Sequence, residues 1–170
     1  MHQLPSVDVF IGLFFLFGVA YGLIFQREKI ITTLCSVYVG IVVAENFSGT
    51  VFQFFNGNKV VANQLWIKSN ASASTVAIVL FLLTILLISS AISVKRRSDT
   101  NNSSLNSVLY SVLAVALILA SVLGFLPEAS RNHYLELSFV ARYLYNFKTM
   151  LVVLPPIVLV ITGFRGRNTR

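Results

Sequence analysis

Thr75 to Val94, TVAIVLFLLTILLISSAISV, is a run of 20 residues without one charged side chain, and Lys95, Arg96 and Arg97 follow it at once. At about 1.5 Å of rise per residue, a helix of that length spans roughly 30 Å, the thickness of a bilayer's hydrocarbon core. A soluble protein would have to bury such an element on every side, which a small chain can rarely do. The run predicts a transmembrane helix with a cationic stop on one side.

The rest of the chain fits that solvent. Of its 170 residues, 56% are hydrophobic and only 11% charged, far more apolar than a soluble domain. The net charge of +7 could suggest nucleic acid, but the basic residues cluster at the ends of apolar segments. That is how charges flank a membrane, and no basic stripe with interleaved stacking aromatics lies outside the apolar runs. The expected partner is the lipid bilayer, with no nucleic acid. The N-terminus, MHQLPSVD, has no Lys or Arg, so no cleaved signal peptide is expected.

Five apolar segments follow one another: 7–25, 30–44, 75–94, 105–125 and 150–164. Pro5 and Ser6 precede the first, and Asp8 falls in its first turn, where the positive end of the helix dipole favours a carboxylate. Asp8 is also a candidate proton or cation site, since ionisable groups at membrane depth are expensive. Gly18 and Gly22 form a G-x-x-x-G pattern that lets another helix approach closely. The connector Gln26-Arg27-Glu28-Lys29 is so short that the second segment must return beside the first. At about 15 residues before Glu45 and Asn46, that second segment either spans, with thinning or a longer helix, or is re-entrant. Cys35 within it reads as a small buried hydrophobe rather than a reactive thiol. As the only cysteine, it excludes an intramolecular disulfide and a cysteine-based metal site.

Phe47, Val51, Phe54 and Phe55 recur at helical spacing, with polar residues between them, which predicts a short helix lying in the interface. Asn56-Gly57-Asn58 predicts a turn, Trp66 a headgroup contact, and Ser98 to Ser104 a polar exposed loop. Asn70-Ala71-Ser72 matches a glycosylation sequon, a three-residue pattern that arises often by chance. Gly124 and Pro127 close the fourth segment. From Glu128 to Lys148 runs an aromatic, charged stretch expected to be interfacial and partly helical. Pro155-Pro156 removes two backbone donors from the last segment and disfavours helix at Leu154, which predicts a kink or break there.

The fold class is therefore all-α: a single transmembrane domain over 1–170, polytopic, with about five membrane helices, or four if 30–44 turns back. With the N-terminus outside, the inner pieces carry more Lys and Arg than the outer ones, so the positive-inside rule favours N-terminus out and C-terminus cytoplasmic. Phosphate-binding loops, a nucleophile elbow and His/Cys metal spacings are all missing, so no catalytic residue, cofactor or metal ligand is expected. His133 and Glu136 could share one helix face but read as solvated residues.

An aspartate opening the first span, Gly18 and Gly22, then Arg27 and Glu28 in a short turn form a recognisable opening. With Leu105-Asn106, Leu126-Pro127, and Ser138 in an aromatic stretch before the last span, the chain resembles the colicin V production (CvpA) family. It departs from that pattern at Tyr21, where a basic residue is usual, and at Tyr110 and Ala114, where paired glycines are usual. The resemblance implies a small, non-enzymatic, multi-pass protein of the bacterial inner membrane, linked to toxin secretion and envelope processes. Helix-mediated association with membrane-protein partners, or with further copies of itself, is the corresponding expectation. A small transporter or channel subunit, using Asp8 and the Pro155-Pro156 break, is the alternative; a membrane-embedded enzyme ranks third.

Overall fold

The computed structural model describes residues 7–25, 27–56, 72–92 and 104–165. Within them the chain forms seven helices: α1 (Val7–Ile24), α2 (Arg27–Asn56), α3 (Ala73–Ala91), α4 (Ser104–Phe125), α5 (Glu128–Leu137), α6 (Phe139–Asn146) and α7 (Lys148–Arg165). Lys95 to Arg97, the 98–103 part of the polar loop, the 57–58 part of the predicted turn, Trp66, and the Asn70 and Ala71 of the sequon lie outside the described residues.

The fold is all-α, and α1 to α4 are each long and apolar enough to cross a membrane. A fifth crossing is available if α6 and α7, which meet at a 66° bend, form one broken span. Consecutive long helices alternate in direction. Helix α2 lies mainly along α3, α1 lies along α4, and α4 also touches α2, α3, α6 and α7. Helix α4 is thus the centre of the bundle. Its small residues Ala114, Ala116 and Ala120 and the serines Ser107, Ser111 and Ser121 are buried, which lets neighbouring backbones close in. The main core joins Ile30, Leu34, Val37 and Ala44 of α2 to Phe81 and Ile85 of α3 and to Tyr110, Ala114 and Leu117 of α4. Phe81 meets Phe125 edge-on at 5.6 Å between ring centres. On α3, Val79, Leu82, Leu83, Leu86 and Leu87 face outward. A helix apolar on both its protein side and its outer side is expected where the solvent is lipid.

Three sequence expectations are corrected. The 30–44 segment and the helix expected to lie flat after it form one helix of 30 residues. Glu45 and Asn46 interrupt the hydropathy but not the backbone, because neither residue breaks a helix as proline does. At about 45 Å, α2 is longer than a hydrocarbon core, so its last turns extend past it rather than lying along the interface. Cys35 is exposed on the outer side of α2, not buried. The third correction concerns the prolines. Helix α7 runs unbroken through Pro155 and Pro156, and the sharp change of direction lies earlier, around Phe147. The Glu128 to Lys148 connection is mostly helix, divided where Ser138 takes extended angles (φ −132°, ψ 120°).

Candidate functional site

Asp8 is the residue on which a functional reading turns, and the structure gives it a partner far away in the chain. Ser138 donates its hydroxyl hydrogen bond to Asp8 Oδ1 at 2.5 Å, and the Val140 N–H approaches the same oxygen at 3.4 Å. Ser138 is itself the N-cap of α6, accepting the Ala141 N–H at 2.9 Å. A helix start leaves backbone donors without internal acceptors and carries positive partial charge, so a carboxylate there is satisfied twice over. Asp8 therefore ties the beginning of α1 to the beginning of α6. Around it Ile11, Ala116, Ala141 and Leu144 form a second small core.

Held in this way, α6 turns Ala141 and Leu144 inward and leaves Phe139, Tyr143 and Phe147 exposed on its other side. These rings follow one another at 6.2 and 4.5 Å between centres. An aromatic row at the end of a membrane bundle suits the headgroup region. Charges border it: Arg131 pairs with Glu128 at 3.6 Å and lies 5.0 Å from the Tyr145 ring centre, while Lys148 lies 5.9 Å from that of Phe125. His133 and Glu136 are both exposed on α5.

Gly18 and Gly22 are buried against α4. A methyl added at Gly18 would come within 2.7 Å of Val115 Cγ2, and one at Gly22 within 2.7 Å of the Val108 Cα. Ser111 of α4 also donates to the Gly18 carbonyl at 2.5 Å. The glycine pair therefore serves a contact inside the chain.

At the proline pair the structure shows how a helix survives. Pro156 has no N–H to offer the carbonyl four residues back, Val152. Tyr38 of α2 supplies the missing donor, its hydroxyl reaching Val152 O at 2.6 Å. Pro155 is buried and Pro156 exposed. The pair thus occurs within a packed helix that α2 braces.

A polar cluster lies at the opposite end from Asp8. Thr33 donates to the Lys29 carbonyl at 3.0 Å, which leaves its oxygen to accept from Tyr21 at 3.0 Å and from Ser89 at 3.3 Å. Lys29 Nζ donates to the Ser89 carbonyl near the end of α3. Arg27 lies 5.6 Å from the Tyr110 ring centre, and the Tyr110 hydroxyl reaches Val158 O at 3.4 Å. The end of α1, the start of α2, the end of α3, the start of α4 and the later half of α7 thus share one end of the bundle.

The sequence signalled Asp8, the glycines and the prolines, and it placed Ser138 among the residues of its resemblance. It did not single out Tyr38, Thr33 or Ser89. A usable signal exists for Tyr38: a tyrosine inside a span needs an acceptor, and a proline inside a span frees one. Among the described residues no group of three His, Cys, Asp or Glu side chains could hold a metal. Compared with family models, curated proteins and solved structures, the chain matches none.

Proposed function

We propose that this membrane protein is a non-catalytic, multi-pass component of the bacterial inner membrane, of the kind its resemblance to the colicin V production family implies. It acts in secretion or envelope processes by associating with other membrane proteins through its helices. One observation carries the reading. Asp8, the carboxylate best placed for transport chemistry, is engaged by Ser138 and the start of α6. Its charge orients an aromatic helix at the membrane face, which an association surface needs and a solute pathway does not. Asp8 and Ser138 are also two of the residues on which the resemblance rests.

The orientation belongs to the same proposal. The end that gathers Arg27, Lys29 and the close of α3 also leads into Lys95-Arg96-Arg97, and the arginine-rich tail follows α7. Placing that end in the cytoplasm satisfies the positive-inside rule.

Asp8→Asn tests the function. It keeps the shape and the accepting oxygen but removes the charge. The variant is expected to insert, to recover the same partners as the parent protein in a pull-down, and to give no change in ion or solute flux in proteoliposomes. A parent protein that conducts a pH- or cation-dependent flux, lost in Asp8→Asn, would replace the proposal with a transporter.

A further inference from the structure

The outer side of α2 carries a regular stripe. Cys35, Val39, Val42, Asn46, Gly49 and Gln53 are all exposed, and their spacing alternates four and three residues. That is the 3.5-residue repeat by which one helix meets another along its length. At about 100° per residue the stripe lies opposite the face of α2 that carries buried Ile30, Leu34, Val37, Gly40 and Ala44. The inward face is already occupied by α3 and α4; among the described residues none covers the stripe.

Asn46 indicates what covers it. Gly40 packs against Phe81 and Ile85, near the middle of the uncharged 75–94 run. Six residues further along, Asn46 lies about 9 Å from that level, within the roughly 15 Å half-thickness of the hydrocarbon. Its Nδ2 donates to the Val42 carbonyl of its own helix at 2.8 Å. That bond uses one N–H of the amide and leaves a second N–H and an oxygen, which acyl chains cannot satisfy.

We propose that α2 is the contact helix of a homodimer, with a second copy of this chain seated on the stripe. Two features select a second copy over another occupant. An amide is donor and acceptor at once, so Asn46 from each copy satisfies the other. Two copies inserted the same way also bring the same helix together in parallel about a two-fold axis, which places Asn46 opposite Asn46. In heptad terms Val39, Asn46 and Gln53 take the a positions and Cys35, Val42 and Gly49 the d positions; a lone asparagine at a fixes register in parallel pairs. Gly49, one turn beyond, has nothing within 4 Å of where its Cβ would be, leaving room for close approach. Exposed Glu45 and Thr50 flank the stripe on opposite sides, at g and e. In a parallel pair the carboxylate of one copy therefore meets the hydroxyl of the other, not a second carboxylate.

This deepens the association reading above by naming one partner and one surface, and it rests on the membrane reading. Cys35 is the only cysteine and occupies a d position, so the chain carries its own probe. In native membranes, oxidation with copper phenanthroline is expected to yield a covalent dimer through Cys35, shown to be a homodimer by co-expressing two tag sizes. Val42→Cys in a Cys35→Ser background should cross-link similarly, and Leu86→Cys, on the outer face of α3, should not. Asn46→Val should lower the cross-linked fraction about ten-fold, in line with the strength of amide pairing between membrane helices, and Asn46→Gln should restore it. The thermal midpoint of the Asn46→Val monomer in detergent should stay unchanged. Cross-linking of Leu86→Cys equal to that of Cys35, capture of a different protein, no dimer at all, or a dimer indifferent to Asn46→Val overturns the proposal. A lost dimer with an intact pull-down removes the seam and leaves the proposed function; an intact dimer with no partner recovered does the reverse.

Discussion

Three glycines on α1 make a graded test of how the bundle is held. At Gly22 a new Cβ would lie 2.7 Å from the Val108 Cα, 3.0 Å from Ser111 Cβ and 3.1 Å from the Ser107 carbonyl oxygen. Ordinary carbon contacts are about 3.5–4.0 Å, and backbone atoms cannot rotate away, so α1 must back off α4 by about 1 Å. Overpacking of this kind costs roughly 1–3 kcal/mol. The retreat also stretches the Ser111 hydroxyl bond to the Gly18 carbonyl, so Gly22→Ala belongs at the upper end, about 2–3 kcal/mol. At Gly18 the first obstacle is a side-chain methyl, Val115 Cγ2 at 2.7 Å, attached to a stiff β-branched residue. Gly18→Ala should cost about 1 kcal/mol. Gly12 has nothing within 4 Å, so Gly12→Ala should be neutral or slightly stabilising. For a chain of this size each kcal/mol moves the midpoint by about 2–4 °C, so Gly22→Ala should unfold roughly 4–12 °C lower in detergent. Intrinsic fluorescence or calorimetry would read the three midpoints. If Gly22→Ala melts with Gly12→Ala, or above Gly18→Ala, the contact between α1 and α4 is not as described.

The other predictions address the remaining ties. Tyr38→Phe should cost about 1–3 kcal/mol by stranding the Val152 carbonyl, and it should cost much less in a Pro156→Ala background, where the restored N–H reclaims that oxygen. Detergent-denaturation midpoints of the four proteins measure this, and additive losses would refute the repair. Ser138→Ala should destabilise by about 0.5–2 kcal/mol and increase protease cutting near α6, since it removes both the cap and the Asp8 bond; a limited-digest pattern like the parent's would count against it. With Cys35→Ser as background, Glu28→Cys should be shielded from an impermeant maleimide in intact cells and Ser130→Cys labelled. The reverse pattern would invert the orientation.

Much of the architecture was legible because a bilayer imposes a length on apolar runs. The ends of α1, α3 and α4 fall within about three residues of the segments read from hydropathy. Only the later part of α2, expected as a separate helix lying flat, differs, and for a physical reason. Hydropathy reports the solvent around a helix, whereas continuity depends on backbone bonding, and Glu45-Asn46 changes only the first. The proline pair failed in the opposite sense. Local chemistry argues for a kink or break near Leu154, but the helix continues, and the Val152 carbonyl takes its hydrogen bond from Tyr38, 114 residues away. Asp8 was legible as a first-turn carboxylate, while its partner at Ser138 depends on how α1 and α6 pack. No spacing within one segment encodes such pairs.

These distant pairs share a rule. Apolar helices gain little from hiding their surface from one another in lipid, so close packing and hydrogen bonds hold them together. Several of the polar ties lie where the backbone's own bonding fails. Tyr38 serves the carbonyl that Pro156 leaves, Lys29 a carbonyl near the end of α3, and Asp8 the Val140 N–H at the start of α6. Arg142 serves the Leu135 carbonyl, which outruns the end of α5. A discontinuous backbone in a low-dielectric medium must be satisfied by something, and here side chains from neighbouring helices do it. Several polar residues of this chain are thus accounted for as repairs, and Ser111, Tyr110 and Thr33 as ties between helices. Asn46 does not fit that account, because it sits in an unbroken helix and bonds only to a carbonyl that the helix already uses. A polar group at membrane depth that repairs nothing within the chain is the one expected to meet something outside it.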